Sequence, residues 1–274
     1  MRLEILVATM YQKDCQLVEK MNLCGGNAEY GVILANQADR DEIVEDSIQG
    51  TPIKMITTKT KGVGLNRNIA LMASTADILL FSDEDVTYYD NFQENVCAAF
   101  ENNEKADVII FSMHITKDNQ ITNTVSVKNR RLYLINSLKY GTYVVAIRRS
   151  AFLKSRICFS QLFGGGCKFS CGEDSLFISD CFKNGLNVYG SSFVLGECAK
   201  DESTWFSGYH KKFFYDKGVF IACMYPRVKQ IMKWYYIFRF IKHTELSLAE
   251  IRYQINNGIE GFSTLRLFTD NKNG

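Results

Sequence analysis

The chain of 274 residues has no uninterrupted apolar run of the roughly 20 residues that a spanning helix needs, so no transmembrane segment is expected. Its first residues, Met1 to Ala8, carry one basic side chain and then a short strand-like run, which is too brief and too charged for a signal peptide. A charge excess is also missing. Lysine plus arginine number 32 against 30 aspartate plus glutamate, so no nucleic-acid or other general polyanion partner follows from net charge, and any basic surface must be local. The nine cysteines form no Cys-x-x-Cys pair, are odd in number and sit mostly in apolar sequence. Such a set reads as reduced thiols and a cytoplasmic location. Cys167-x-x-x-Cys171 has the look of half a zinc site, with neither a second pair nor a nearby histidine to complete it.

What is present is enough apolar sequence, 46%, to build a substantial core. Short apolar runs alternate with amphipathic segments, the pattern of β-α-β units. Strands are expected at Leu3–Ala8, Tyr30–Asn36, Ile53–Thr57, Ile78–Ser82, Asp107–Ser112 and Thr142–Ile147, with weak ones at Asn187–Tyr189 and Phe193–Gly196. Helices are expected around Leu65–Ala76, Phe92–Phe100 and Ser175–Asn184, the last ended by Gly185. The polar stretch from Thr116 to Arg131 reads as a surface excursion. From about Ser203 the strand signals stop, giving an expected division into residues 1–202 and a helical extension, 203–274. Ser247-Leu248-Ala249-Glu250 has the form of a capping box for a last helix, with Gly258 as its stop.

One apolar run ends in acids: Phe81-Ser82-Asp83-Glu84-Asp85. In an extended segment alternate side chains share a face, so Asp83 and Asp85 would hold one hard cation between them while Glu84 points away. Taken alone, the motif reads more readily as a solvated acidic turn. Upstream, Lys61-Gly62-Val63-Gly64-Leu65-Asn66-Arg67-Asn68 opens the helix that leads into this strand, and by itself it is an ordinary glycine turn and helix start. Downstream, Gly172-Glu173-Asp174 follows the glycine loop Gly164–Gly166, and its acids also suit the positive end of the next helix.

In combination, Ile5-Leu6-Val7-Ala8-Thr9, Gly64-Leu65-Asn66-Arg67-Asn68, Phe81-Ser82-Asp83-Glu84-Asp85 and Gly172-Glu173-Asp174 resemble the motifs of family 2 glycosyltransferases, over residues 3 to 200 or so. The resemblance implies a GT-A fold, an α/β architecture with a mixed, mainly parallel sheet flanked by helices. It implies inverting transfer from a nucleotide diphosphate sugar, a UDP-sugar being the expected donor, with Mg or Mn at Asp83 and Asp85. Ala8, Thr9, Asn36, Asp39, Lys61, Gly64, Arg67, Asn68, Asp83 and Glu84 would then surround the nucleotide. Asp174 would be the base and Glu173 a residue that positions the acceptor. The family's aspartate-rich turn after the second strand is here Asn36-Gln37-Ala38-Asp39, and Asn66 stands where a small residue is common.

In the extension, Trp205, Tyr209 and His210 are candidate acceptor contacts, and equally candidates for plain helix packing. Arg227, Lys229, Lys233, Arg239 and Lys242 alternate with aromatic and aliphatic residues. That pattern suits a helix lying on the inner membrane surface or one packed on the core with snorkelling lysines. The implied acceptor is a saccharide or lipid-linked saccharide of bacterial surface polysaccharide synthesis. The alternatives are a nucleotidyltransferase, disfavoured because Thr9-Met10-Tyr11-Gln12-Lys13 lacks a phosphate-loop glycine, and a non-catalytic sugar-binding or membrane-binding module.

Overall fold

The computed structural model describes residues 1–24, 30–118, 120–199 and 208–270, with side chains as far as 264. Two compact units are present: Met1–Gln161 with Glu173–Asp201, and Leu162–Gly172 with Glu202–Gly274.

The first unit begins with β1 (Leu3–Met10), a single turn α1 (Leu17–Lys20), β2 (Tyr30–Gln37), β3 (Glu42–Ile48) and β4 (Thr51–Thr58). It continues through α2 (Val63–Ala73), β5 (Ile78–Asp83), β6 (Val86–Tyr88), α3 (Phe92–Glu101), β7 (Val108–Lys117), β8 (Gln120–Val125) and β9 (Arg130–Arg131). After α4 (Leu134–Ser137) come β10 (Val145–Arg148), α5 (Arg149–Ser155), α6 (Glu173–Lys183) and β11 (Val188–Ala199). All strands join one sheet in the order β3-β4-β2-β1-β5-β10-β7-β11-β6, with β8 beside β7 and β9 beside β11. β4, β2, β1 and β5 run parallel, as do β7 and β11. β10 is antiparallel between β5 and β7, and the edges β3 and β6 are antiparallel to their neighbours. This is the mixed, mainly parallel sheet that the family resemblance implied, with the β-α-β units of the alternating pattern. Ile5, Val7, Leu34, Leu79, Leu80, Phe81, Ile110 and Phe111 are all buried in its core, as continuous apolar strands covered on both faces must be.

Three registers bring distant residues to one edge of this sheet. Ala8 pairs with Asp83, which sets Thr9 next to Glu84. Ala146 pairs with Leu80 in the antiparallel sense, so extending that register carries the entry to β10, at Thr142 and Tyr143, to the carboxyl end of β5. Cys198 pairs with Val86, and the Ala199 amide donates to the Asp85 carbonyl at 2.9 Å.

Several elements depart from expectation. The stretch after Thr116 is not a loop throughout, since β7 runs to Lys117 and β8 pairs back on it. β3 was not foreseen either. Both are edge strands with exposed polar faces, so no buried alternation marks them. Thr142–Val144 is a short 3₁₀ turn rather than strand, and the two weak strands near the end are one strand, β11, with register shifts on either side of Val194. α6 starts at Glu173, two residues before the predicted helix start.

The second unit holds α7 (Lys211–Met224), α8 (Lys229–Phe240) and α9 (Leu248–Asp270) around Phe214, Ile221, Ile237, Ile251 and Ile255. The Ser247 capping box forms, with the Ser247 amide donating to Glu250 at 3.1 Å and the Glu250 amide to the Ser247 hydroxyl at 3.3 Å. Gly258 does not stop the helix. A Cβ there would lie 2.1 Å from the Tyr215 carbonyl oxygen, and one on Gly218 would lie 2.2 Å from that of Ile255. These glycines let the backbones of α7 and α9 touch, which is why one sits in mid-helix despite its low propensity. Gly218→Ala and Gly258→Ala should each destabilise this unit by about 1–3 kcal/mol, the cost of overpacking. Chemical denaturation checks this, and unchanged midpoints would refute the close crossing.

Candidate active site

The site assembles around Arg67, which α2 delivers from its second turn. Only 4% of its side chain is exposed, yet three carboxylates meet it. Its Nη2 donates to Asp83 Oδ1 at 2.7 Å, its Nη1 to Asp174 Oδ1 at 2.9 Å, and Glu173 Oε1 lies 3.8 Å from Nη1. The guanidinium carbon sits 5.4 Å from the centroid of the Phe159 ring. That ring stacks on Phe177 at 4.1 Å, and Phe81 meets both edge-on. Burial alone would lower the Arg67 pKa, but Asp83, Asp174 and Glu173 outweigh it and hold the group protonated.

Asp174 is positioned twice over. The Thr142 hydroxyl, fully buried, donates to the same Oδ1 at 2.6 Å, so Oδ1 is occupied by Arg67 and Thr142 together. Oδ2 takes part in neither bond. Burial, then the charge of Asp174, push the neighbouring Glu173 carboxyl well above its usual range, with Arg67 pulling the other way. Tyr143 is pushed up too, by burial and then by Cys198, Asp83, Asp174 and Asp85, so its phenol stays a protonated donor among the acids.

Asp83 ends β5, and Glu84 and Asp85 form a turn before β6, so the acids do not lie on one continuous strand as expected. Glu84 nevertheless turns away from Arg67. It takes hydrogen bonds from the Thr9 hydroxyl, the Met10 amide at 3.3 Å and the Gln12 side chain at 3.3 Å. Asp85 has one side open to solvent, while burial of the rest and the nearby Asp83 raise its carboxyl to about 6.

Other candidate residues are placed as builders of this edge. Asn66 donates to the carbonyls of Thr9 at 3.2 Å and Ala35 at 2.7 Å, tying α2 to β1 and β2. Asn68 makes a reciprocal pair with the Phe159 backbone, accepting at 2.8 Å and donating at 2.9 Å. Asn36 does the same for Gln12, at 3.0 and 2.9 Å. A Cβ on Gly64 would lie 2.1 Å from the Ser160 carbonyl oxygen, which gives that glycine a packing reason. Ala8 and Thr9 are buried, while Asp39 and Lys61 are exposed. In the second unit Tyr209 packs its ring against Phe213, Phe240 and His243, and His210 precedes α7 as its exposed N-cap. Trp205 lies outside the described residues. Thr142 and Tyr143 escaped the sequence reading because a lone Thr-Tyr at a strand entry carries no motif. Among the described residues no group of three or more histidine, cysteine, aspartate or glutamate side chains gathers as a metal cage, at Cys167 and Cys171 or elsewhere.

Two outcomes follow. Arg67→Met strands three carboxylates beside an apolar side chain and should cost about 3–5 kcal/mol in denaturant unfolding, the penalty for breaking a buried ion pair. A loss under about 1 kcal/mol, as for surface pairs, would show that the acids do not depend on it. For Asp85, a carboxyl raised from 3.8 to about 6 on folding binds its proton more tightly in the folded chain. It therefore detracts from stability increasingly as pH rises through that window. Asp85→Asn should melt higher than the parent near neutral pH, and the gain should vanish in acid below 3.8. Calorimetry across that range checks it; an equal gain at every pH would speak against the shift.

Residues 25–158 match the family model "Glycosyl transferase family 2", a span that contains Arg67, Asp83, Asp85 and Thr142. No curated protein matches the chain. Among solved structures, it is similar to S. aureus TarS 1–349 in complex with UDP-GlcNAc, at a TM-score of 0.59 and 16% identity over 96% of this chain and 71% of that one. The same protein fragment without ligand gives a TM-score of 0.56 at 15% identity, covering 96% of this chain and 73% of that one. A longer TarS structure, of which the chain covers 43%, gives 0.58 at 16%, again over 96% of this chain. The match to the family 2 glycosyltransferase model spans the Arg67 and Asp83 motifs over just under half of the chain, and the sheet shares its GT-A fold with TarS.

Proposed function

We propose that the chain transfers a sugar from a UDP-sugar to a saccharide or lipid-linked saccharide acceptor, with inversion at the anomeric carbon and with Mg or Mn as cofactor. The observation that carries the reading is the double hold on Asp174 Oδ1 by Arg67 and Thr142, with the same guanidinium tied to Asp83. One cation thus links an acid suited to the donor with an acid suited to the acceptor. The UDP-GlcNAc in the similar TarS structure supports a uridine nucleotide as the donor's leaving part.

In this reading Asp174 Oδ2 takes the proton of an acceptor hydroxyl. The hydroxyl oxygen bonds to the anomeric carbon from the face opposite the leaving group, and the carbon–oxygen bond to the diphosphate breaks. Glu173, whose carboxyl retains a proton more readily than usual, donates to or orients the acceptor. Asp83 and Asp85 would hold the cation, since both supply the hard oxygens it takes. Such a cation, when bound, neutralises charge growing on the departing diphosphate. A cytoplasmic site of action and a role in bacterial surface polysaccharide synthesis are part of the same proposal.

The test pairs two variants with two readouts. Asp174→Asn should lower turnover by about 10²–10⁴-fold, the usual worth of a general base, while keeping the melting shift produced by UDP with Mn. Asp85→Ala should lose most of the Mn-dependent part of that shift. Full metal-dependent turnover in both variants would end this assignment of roles.

A further inference from the structure

α8 has two faces of different fate. Inward, Ile237 is fully buried, the Lys233 ammonium reaches Asn256 at 3.3 Å, and Met232, Tyr236 and Phe240 pack on the core of the helical unit. Outward, Ile231, Trp234, Tyr235 and Phe238 recur at i, i+3, i+4 and i+7, the spacing of a single helical stripe. Ile231 is 70% exposed and Phe238 67%, values far beyond what isolated surface apolar residues need explaining, because here they adjoin. Trp234 and Phe238 stack at 5.8 Å, so the stripe is a continuous apolar ridge.

The charges around this ridge are of one sign. From Pro226 to His243 there are five basic residues, Arg227, Lys229, Lys233, Arg239 and Lys242, and no acid. Arg227 and Lys242 are exposed just before and just after α8. On the flank, Arg239 donates to the Tyr235 hydroxyl at 2.8 Å, and the Arg252 guanidinium of α9 lies 6.0 Å from the Trp234 ring. A second copy seated on the ridge about a two-fold axis would bring these cations against their own equivalents. An anionic bilayer instead meets every one favourably, and its interfacial zone suits tryptophan, tyrosine and phenylalanine.

We infer that the outward face of α8 is a docking surface for an anionic lipid bilayer, with Ile231, Trp234, Tyr235 and Phe238 entering the headgroup region and Arg227, Arg239 and Lys242 binding lipid phosphates. The inference rests on the helical unit alone and does not depend on the proposed transfer reaction.

Vesicle co-sedimentation of the full chain tests it, with phosphatidylcholine vesicles against vesicles that also contain phosphatidylglycerol. The full chain should bind the anionic vesicles, more weakly as salt rises, and leave the neutral ones in solution. Phe238→Glu, at an exposed position, should weaken binding about tenfold or more by removing apolar insertion and adding a repelled charge. Arg227→Gln with Lys242→Gln should weaken it roughly fivefold per charge and flatten the salt dependence. Circular dichroism of each variant should match the parent. Absence of binding to anionic vesicles overturns the inference, as does equal binding by Phe238→Glu. So does a dimer in light scattering that Phe238→Glu dissolves without any vesicle binding, which would assign the ridge to self-association. A chain that binds vesicles but transfers no sugar would leave this inference standing and defeat only the reaction.

Discussion

A single buried guanidinium organises the catalytic half of this molecule. Taking a cation out of water costs several kcal/mol, and Arg67 at 4% exposure recovers it only through Asp83, Asp174, Glu173 and the face of Phe159. Those partners come from β5, α6 and the segment after α5, elements far apart in the chain. The acids in turn need Arg67, since three carboxylates so close together repel one another. Each side is therefore tolerable only in the presence of the other, and the geometry that satisfies both fixes where Asp83 and Asp174 stand relative to each other.

The motif around Arg67 makes sense as scaffolding for that arrangement. Gly64 is bare because the Ser160 carbonyl occupies the space of its Cβ, and that approach lets Asn68 grip the Phe159 backbone on both sides. Asn66 binds the Thr9 and Ala35 carbonyls near the carboxyl ends of two parallel strands, where a buried carbonyl needs a partner. Asn36 spends its amide on Gln12 in the same way, and Gln12 reaches Thr9 and Glu84. Polar residues that look like ligand contacts in a sequence are here engaged with backbone, while the carboxylates gather at Arg67.

The legibility of the chain follows physical contrast. Central strands such as Ile78–Asp83 announce themselves because burial on both faces demands an apolar run, whereas β3 and β8, exposed at edges, leave no such trace. Asp83, Arg67 and Asp174 were readable as motif residues. That one cation joins all three was not, because the 107 positions between Arg67 and Asp174 close only through the sheet. Thr142 needed the antiparallel register of β10 on β5 before its hydroxyl could be placed at all. Gly258 shows the opposite failure: local propensity assigned a helix stop, and the crossing with α7 overrode it.

The same electrostatics bear on the metal proposed for the reaction. Asp83, Glu173 and Asp174 share one guanidinium, and burial first, then the neighbouring acids, raise the carboxyls of Asp85 and Glu173. A sugar diphosphate is itself an anion, so this edge of the sheet repels the donor as long as it stands alone. Protonating the acids would relieve the repulsion and would also disable the base. Asp83 and Asp85 would hold a divalent cation, which would supply positive charge on the donor side, while Asp174 stays held by Arg67 and Thr142.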